Sequence, residues 1–318
     1  MNKGYKYIFL IAYFFMAVSF GTYGQRTNSD DKNTKLTPKS TNEKLPRIAP
    51  DALPPLRSLI DETLQTELEN QLNANPRWKN LISQKKMSVG LVDLSNPDQT
   101  KFARVNGLYM MYAASLPKIA VLLASMDALE KGELTETPEI RSDMRIMISK
   151  SNNQAASRMI DRVGFEKIES VMTDPLYEFY DEDLQGGLWV GKRYGSGDKT
   201  NREPLKQFSH AASATQVCRF YYLMSYGKLV NPKRSKEMLD IMENPELHHK
   251  FVSSIEKLAP NARLFRKSGS WRTFHSDSIL VWGPKRKYIL VALVDDVQGE
   301  QIIRQIASKM DQIVKIKK

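Results

Sequence analysis

The stretch SDSILVWGPKRKYILVALV, residues 276–294, decides how the chain is organised. Two apolar runs flank the sequence GPKR at 283–286, and a Gly-Pro pair interrupts helices and strands alike. The pattern therefore predicts a β-hairpin. A second hairpin is predicted far upstream, where strands at 87–94 and 101–105 enclose a turn at 95–98.

Helical patterns fill the chain between the two hairpins, from Ser115 to about Leu258. Apolar residues recur there at the three- and four-residue spacing of a buried helix face. The segments with this pattern are 119–129, 144–163 and 216–226.

Two further amphipathic helices are predicted outside the hairpins, at 56–72 and 300–316. Strands near both chain ends with helices between them favour one sheet assembled from both ends. The predicted fold class is α/β, of the α+β type. An antiparallel sheet is built from both chain ends, is flanked by terminal helices and carries an inserted all-helical lobe.

The first 24 residues have the pattern of a signal peptide. Lys3 and Lys6 precede an uncharged run at 7–20, and small residues follow at 21–24. The run is shorter than the ~20 apolar residues that a membrane-spanning helix needs. We expect cleavage after residue 24 and no stable membrane insertion afterwards, with an uncleaved anchor as the alternative.

Residues 25–55 are rich in Asn, Ser, Thr, Lys, Asp and Pro. Such a stretch buries too little apolar surface to offset its ordering entropy, so a disordered linker is predicted. Residues 56–318 then form the folded domain. The single cysteine, Cys218, excludes an internal disulfide framework. An exported protein without disulfides is expected in a bacterial periplasm.

The net charge of +11 comes from 47 Lys and Arg against 36 Asp and Glu. The excess is spread along the chain, so we expect anionic surroundings rather than a nucleic-acid partner. His248 and His249 are adjacent and would point in different directions on a helix, which makes a poor metal pair. No phosphate-binding loop or dinucleotide fingerprint is present. We expect no metal and no cofactor.

Candidate chemistry begins at Ser115-Leu116-Pro117-Lys118, which is predicted to open a helix. A serine and a lysine three residues apart lie on one helix face. The amine can accept the hydroxyl proton if burial lowers its pKa, and the N–H groups of a first turn favour developing negative charge. The same spacing recurs at five other places in the chain, so this motif needs support from others.

Two further motifs supply that support. Ser151-Asn152-Asn153 lies between apolar helical segments, where it predicts a loop pointing into a cleft, an N-cap for the next helix, or both. Lys267-Ser268-Gly269 precedes the second hairpin, where a strand edge would expose a cation and a hydroxyl. The alternative for this triplet is a solvated lysine before a turn.

In this order the three motifs resemble the signature of the penicillin-recognising serine enzymes, the class A β-lactamases and penicillin-binding proteins. The resemblance covers about residues 56–318 and implies a β-lactamase/transpeptidase-like fold. It implies that Ser115 is the acylated nucleophile and that Lys118 takes its proton. Ser151 would relay a proton to the leaving nitrogen, and Asn153 would bind Lys118 and the substrate amide.

The resemblance also implies a substrate-binding set on the late strand. Lys267 and Ser268 would bind the substrate carboxylate, next to Gly269. The backbone N–H groups of Ser115 and Ser270 would form the oxyanion hole, so that the position of Ser270 matters more than its side chain.

Two departures from the class A pattern stand out. Asn152 replaces the aspartate usual in class A enzymes. Class A enzymes also carry a glutamate that activates the deacylating water, with an asparagine four residues later, and residues 186–194 hold no acidic residue at that spacing. Glu203 is the nearest likeness, with Gln207 in the asparagine position, but it lies too far along the chain.

The leading prediction is an exported serine hydrolase that opens β-lactam amides through acyl-Ser115. A D,D-peptidase acting on the D-alanyl-D-alanine stem peptides of peptidoglycan and a non-catalytic β-lactam or cell-wall sensor are the alternatives within the family. A basic module that binds peptidoglycan or nucleic acid is supported by charge alone.

Overall fold

A computed structural model describes residues 44–47, 53–96, 98–195 and 199–314. The predicted signal peptide and most of the predicted linker lie outside these residues. Residues 44–47, at the end of the predicted linker, pack on the domain, because Leu45 is buried and the Arg47 guanidinium lies over the Trp282 ring at 4.6 Å. Within the described residues, no helix is long and apolar enough to cross a membrane.

The central sheet has five strands in the order β2-β1-β10-β9-β8, and the pairings given for it are antiparallel. Its strands come from both ends of the chain, as the sequence predicts, and β8 forms one edge. The strands are β1 (Met87–Asp93), β2 (Lys101–Val105), β8 (Arg263–Trp271), β9 (Phe274–Gly283) and β10 (Arg286–Asp295).

Short strands connect the sheet to the helical part of the chain. A three-stranded sheet has the order β3-β7-β6, and β4 pairs with β5. These strands are β3 (Met111–Tyr112), β4 (Tyr180–Asp181), β5 (Gly186–Gly187), β6 (Trp189–Val190) and β7 (His210–Ala212). Because β3 immediately precedes the Ser115 turn, its pairing with β7 places the loop before β7 beside that turn.

Helices account for most of the remaining described chain. They are α1 (Glu62–Asn73), α2 (Pro76–Ser83), α3 (Lys118–Glu130), α4 (Pro138–Ser149), α5 (Asn153–Val163), α6 (Phe165–Met172), α7 (Ala214–Ser225), α8 (Pro232–Met242), α9 (Phe251–Leu258) and α10 (Gly299–Val314). Helix α3 is buried on all sides from Lys118 to Leu129, which is the pattern of a central core helix.

Two apolar cores lie on the two faces of the central sheet. One contains α3, its neighbouring helices and the inward side chains of β9 and β10. The other contains the apolar faces of α1, α9 and α10. The last helix of the predicted helical lobe, α9, therefore packs with the terminal helices rather than with α3.

The prediction of one continuous helix at 56–72 is wrong. A 3-10 turn at Leu56–Leu59 is followed by a break, and α1 begins only at Glu62. The break occurs because the Asp61 carboxylate accepts a hydrogen bond from the Leu64 N–H at 2.8 Å and caps α1.

Candidate active site

Ser115 lies in the turn that leads into α3, and the helix begins at Lys118 rather than at the serine. Ala114 just before it has a φ of 50°, a left-handed conformation that a residue with a Cβ adopts at a cost of about 1–3 kcal/mol. Among the described residues, neither the Ser115 N–H nor its hydroxyl has a hydrogen-bond partner. The turn therefore presents both groups to the cleft that Ser115 lines.

Lys118 is fully buried and points toward the second motif. Its Nζ donates to the Ser151 carbonyl at 2.6 Å and to Asn153 Oδ1 at 2.8 Å. The Tyr194 ring covers the ammonium, with its centroid 4.5 Å from Nζ. Burial lowers the pKa of Lys118 to about 7, so a large fraction of the amine is neutral near neutral pH and can act as a base.

The second motif both caps a helix and contributes to the cleft, as predicted. The Asn152 side chain accepts the Ala155 N–H at 2.8 Å and caps α5, while Asn153 lines the cleft. Ser151 has a φ of 56°, and its Oγ accepts a hydrogen bond from Lys267 Nζ at 2.8 Å. Lys118 Nζ lies 3.4 Å from the same oxygen, so two lysines converge on one hydroxyl.

The third motif lies on the edge strand β8, and Lys267 is not a solvated lysine. Its side chain is buried, and besides Ser151 its Nζ donates to the Ser268 carbonyl at 2.6 Å. Burial, followed by the nearby charge of Lys118, holds the pKa of Lys267 well below its usual value. The edge of β8 therefore does not expose the Lys267 side chain, contrary to the prediction.

Gly269 brings β8 into contact with the serine turn. A Cβ at this position would lie 2.6 Å from the Ser115 nitrogen, which is closer than real Cβ atoms approach. Only glycine fits without moving the backbone. The contact places Ser270 at the cleft wall beside Ser115.

Positive charge is in excess behind the motifs. Arg266 and Asp277 form a buried ion pair at 2.7 Å, and Lys250 lies nearby as a further buried cation. The charges that act on Lys267 are those of three basic groups, Lys118, Arg266 and Lys250, and of one carboxylate, Asp277. A cleft in front of such a cluster favours an anionic ligand.

The cleft has a volume of about 540 Å³, and aromatic and basic side chains make up much of its remaining lining. Its further described lining residues include Tyr112, Lys192, Arg193, Tyr194, Arg202, Phe208, His210 and Trp271. Burial lowers the pKa of His210 to about 4, so this side chain is neutral at neutral pH. Its Nε2 lies 2.9 Å from the Lys192 carbonyl and must donate to it, which leaves Nδ1 to accept from the Ser209 hydroxyl.

Glu203, the nearest likeness to a deacylation base, does not line the cleft in this structure. Its carboxylate is fully buried and accepts the Tyr180 hydroxyl at 2.9 Å and the N–H groups of Leu205 and Phe208 at 2.8 Å each. Both oxygens also accept the Lys206 N–H. The glutamate organises its own loop, and no carboxylate is among the described residues that line the cleft.

The residues that sequence reasoning missed are Tyr194, His210 and Lys250. No motif marks them, because each reaches the site through contacts that depend on the tertiary fold. Tyr194 ends the stretch 186–194, which contains no acidic residue, and the signal that this stretch carries is an aromatic ring.

Comparisons with known proteins agree with this geometry. The chain matches the Beta-lactamase enzyme family over residues 73–146 and 137–314. No curated protein matches it.

Solved structures share the fold at low sequence identity. A β-lactamase from Sphaerobacter thermophilus has a TM-score of 0.61 at 16% identity, over 78% of this chain and 97% of its own. A PBP-A mutant, described as an acyl-enzyme complex with penicillin G, has a TM-score of 0.61 at 18% identity, over 82% and 98%. A class A β-lactamase representative from Bacteroides cellulosilyticus has a TM-score of 0.59 at 18% identity, over 80% and 99%. The predicted β-lactamase/transpeptidase-like fold is confirmed, and the chain belongs to the beta-lactamase enzyme family.

Proposed function

We propose that the protein is an exported, periplasmic serine hydrolase that opens β-lactam amides through an acyl-Ser115 intermediate. The observation that carries the proposal is the convergence of Lys118 and Lys267 on Ser151, at 3.4 and 2.8 Å from its Oγ, beside an unpartnered Ser115 hydroxyl. This arrangement supplies a base, a proton relay and a nucleophile in one cleft.

In the acylation step, neutral Lys118 takes the Ser115 proton while Oγ attacks the β-lactam carbonyl carbon. The carbon–nitrogen bond then breaks, and the Ser151 hydroxyl gives its proton to the departing nitrogen. Ser151 recovers a proton from Lys118 across the 3.4 Å contact, so the product nitrogen carries the former Ser151 proton and Ser151 ends with the proton taken from Ser115. The pKa of Lys118, about 7, suits both accepting and returning that proton.

Substrate binding in this proposal uses the third motif. Lys267 and Ser268 hold the substrate carboxylate, in front of the cationic cluster. The N–H groups of Ser115 and Ser270 stabilise the oxygen that becomes negative when Oγ attacks.

Deacylation is the slow half of the proposed reaction. Water must lose a proton to attack an acyl-serine ester, and a positioned base contributes roughly 10²–10⁴-fold to such a step. The described lining offers no carboxylate to serve as that base. The acyl-enzyme is therefore expected to persist.

The absence of a carboxylate from the described lining also favours a second candidate, a D,D-peptidase that acts on peptidoglycan stem peptides. A D-alanyl-D-alanine terminus offers the same scissile amide and the same free carboxylate as a β-lactam. An enzyme with this substrate has no need to hydrolyse penicillin rapidly.

A mass-spectrometric time course with benzylpenicillin tests the proposal. We expect an adduct on Ser115 that forms quickly and is lost slowly, and no adduct on Ser115→Ala. Ser83→Ala is the matched control, because Ser83 also precedes a lysine by three residues but lies exposed on α2, and it should be acylated like the wild type.

The outcomes separate the candidates. An adduct on folded Ser115→Ala would overturn the nucleophile. Faster cleavage of a D-alanyl-D-alanine peptide than of penicillin would favour the D,D-peptidase, and a permanent adduct without any peptide cleavage would favour a sensor.

A further inference from the structure

Lys250 is a buried cation that the proposed mechanism does not use. Its side chain has no exposed surface, and its backbone has a φ of 54°, which is unfavourable for a residue with a Cβ. Its Nζ donates to the Gly269 carbonyl at 2.5 Å, to Ser270 Oγ at 2.8 Å and to the Ser276 carbonyl at 3.1 Å.

None of these partners is a carboxylate. The nearby Asp277 carboxylate is held instead by Arg266 and by the Phe251 N–H. A buried ammonium is costly unless it is well hydrogen-bonded, and burial lowers the pKa of Lys250 to about 8. Two unfavourable features, a positive φ and a buried ammonium, are therefore tolerated at Lys250. Together they place a cation against two backbone carbonyls.

The Gly269 carbonyl belongs to the same peptide group as the Ser270 N–H. In a trans peptide these two groups point in opposite directions. Lys250 reaches the carbonyls of both Gly269 and Ser276, which pair across β8 and β9, so the Gly269 carbonyl faces β9. Because β8 is the edge strand, the Ser270 N–H points away from β9 and off the sheet.

The Ser270 N–H thus lies on the side of the cleft, where Gly269 contacts the Ser115 nitrogen. A cation bound to the carbonyl end of a peptide polarises it and strengthens the N–H at the other end as a donor. It also fixes the plane of the peptide before substrate arrives. Preorganised donors of this kind contribute strongly to acyl transfer.

We propose that Lys250 is a positioning residue for the oxyanion hole, whose ammonium orients and polarises the Gly269–Ser270 peptide from behind. This role rests on the proposed function, because it requires an acyl-transfer oxyanion at the Ser270 N–H. Lys250 touches no substrate atom and acts only through this peptide and the Ser270 hydroxyl. Since that hydroxyl accepts from Lys250, its own proton is free to face the cleft.

The test compares wild type, Lys250→Met, Lys250→Gln and Lys250→Arg by difference infrared spectroscopy of the acyl-enzyme. The probe is benzylpenicillin labelled with carbon-13 at the β-lactam carbonyl, whose stretching frequency falls as oxyanion-hole hydrogen bonds strengthen. We expect a higher frequency in Lys250→Met and an acylation rate constant lowered roughly 10-fold, a fraction of the ~10²–10³ lost with a whole oxyanion donor. The affinity for unreacted penicillin should change less than the rate constant.

Lys250→Arg should keep a frequency near that of the wild type, and Lys250→Gln should lie between Arg and Met. Lys257→Met, an exposed lysine on α9, is the matched control and should behave like the wild type. If Lys250→Met fails to fold, the Gln and Arg variants decide, because only one of them carries the charge.

Equal frequencies in the charged and neutral variants would overturn this role, even if the neutral ones are slow or unstable. The absence of any wild-type adduct would instead overturn the proposed function, and this role with it.

Discussion

The two walls of the cleft differ in the reactive side chains that they contribute. The wall made by α3, α5 and β8 holds Lys118, Ser151 and Lys267 in one hydrogen-bonded set and presents the Ser115 hydroxyl to the cleft. The cleft-lining segments 192–195 and 202–210, here called the opposite wall, offer rings, cations and a neutral histidine. Glu203 lies in the second segment, but its carboxylate is held by N–H groups of its own loop. In the proposed reaction, forming and hydrolysing the acyl-enzyme therefore depend on different walls. The first wall holds the groups proposed for acylation, and the described lining of the cleft holds no carboxylate for hydrolysis.

Removing the base from the first wall should have the largest effect. Lys118→Ala is expected to slow acylation by about 10²–10⁴-fold, the contribution of a positioned general base, because Lys118 is the proposed acceptor of the Ser115 proton. In the wild type the rate should rise with pH through about 7, because the neutral amine is the active form. Stopped-flow acylation with a chromogenic cephalosporin measures both.

Lys86→Ala is the control for this prediction, because Lys86 follows Ser83 at the same spacing and is exposed. A wild-type rate that is flat with pH from 6 to 8 would contradict Lys118 as the base.

Removing the carboxylate site should have the next largest effect. Lys267→Ala is expected to weaken acylation by roughly 10²-fold, the scale of a lost buried charge-assisted hydrogen bond. The apparent second-order rate constant for benzylpenicillin reports it. Lys285→Ala in the exposed β9–β10 turn should change nothing, and a loss below threefold in Lys267→Ala would remove Lys267 from the site.

The opposite wall should respond in stability rather than in chemistry. Glu203→Gln places an amide NH₂ among N–H donors and should lower the free energy of unfolding by about 1–3 kcal/mol. Deacylation of the folded variant should stay within threefold of the wild type. Urea denaturation and adduct lifetime are the two measurements, with exposed Glu182→Gln as the control.

A deacylation rate that collapses in Glu203→Gln while acylation persists would break the comparison. It would mean that the loop opens and delivers Glu203 to the ester.

The smallest expected effect is at Tyr194, whose buried hydroxyl lacks a partner in the described residues. Tyr194→Phe keeps the ring over Lys118, so acylation and deacylation should change less than twofold. Stability should hold or rise by up to about 1 kcal/mol, because an unsatisfied polar group is removed. Tyr177→Phe, which loses a 3.0 Å bond from the Val230 N–H, should instead be destabilised in thermal unfolding.

Local sequence patterns predicted the fold and the elements that carry the three motifs. The features that were not predicted depend on long-range contacts. The hairpin at 276–294 and the three motifs carry their signals in adjacent residues, so their elements appear where expected. The prediction of one helix at 56–72 is wrong because the Asp61 side chain accepts a hydrogen bond from a backbone N–H. The spacing of apolar residues does not reveal this cap.

Sequence reasoning misjudged Glu203 and missed Lys250 for the same reason. Glu203 resembles a deacylation base in spacing alone, and its role depends on how its loop folds back on itself. Lys250 reaches the site only through the register of β8 on β9. No periodicity in the sequence encodes that register.

The order of strands in the central sheet also determines when the sheet can assemble during synthesis. Strand β1 lies between β2 and β10, and Met87 pairs with Val294, so the sheet cannot close until the last strand has been made. Contacts of such long sequence separation form late and slowly. The growing chain contains Ser115 long before it contains Lys267 of β8, so a chain released early would carry the proposed nucleophile without the proposed carboxylate-binding lysine. The two parts of the proposed site therefore come together only when the final stretch of the polypeptide has been made.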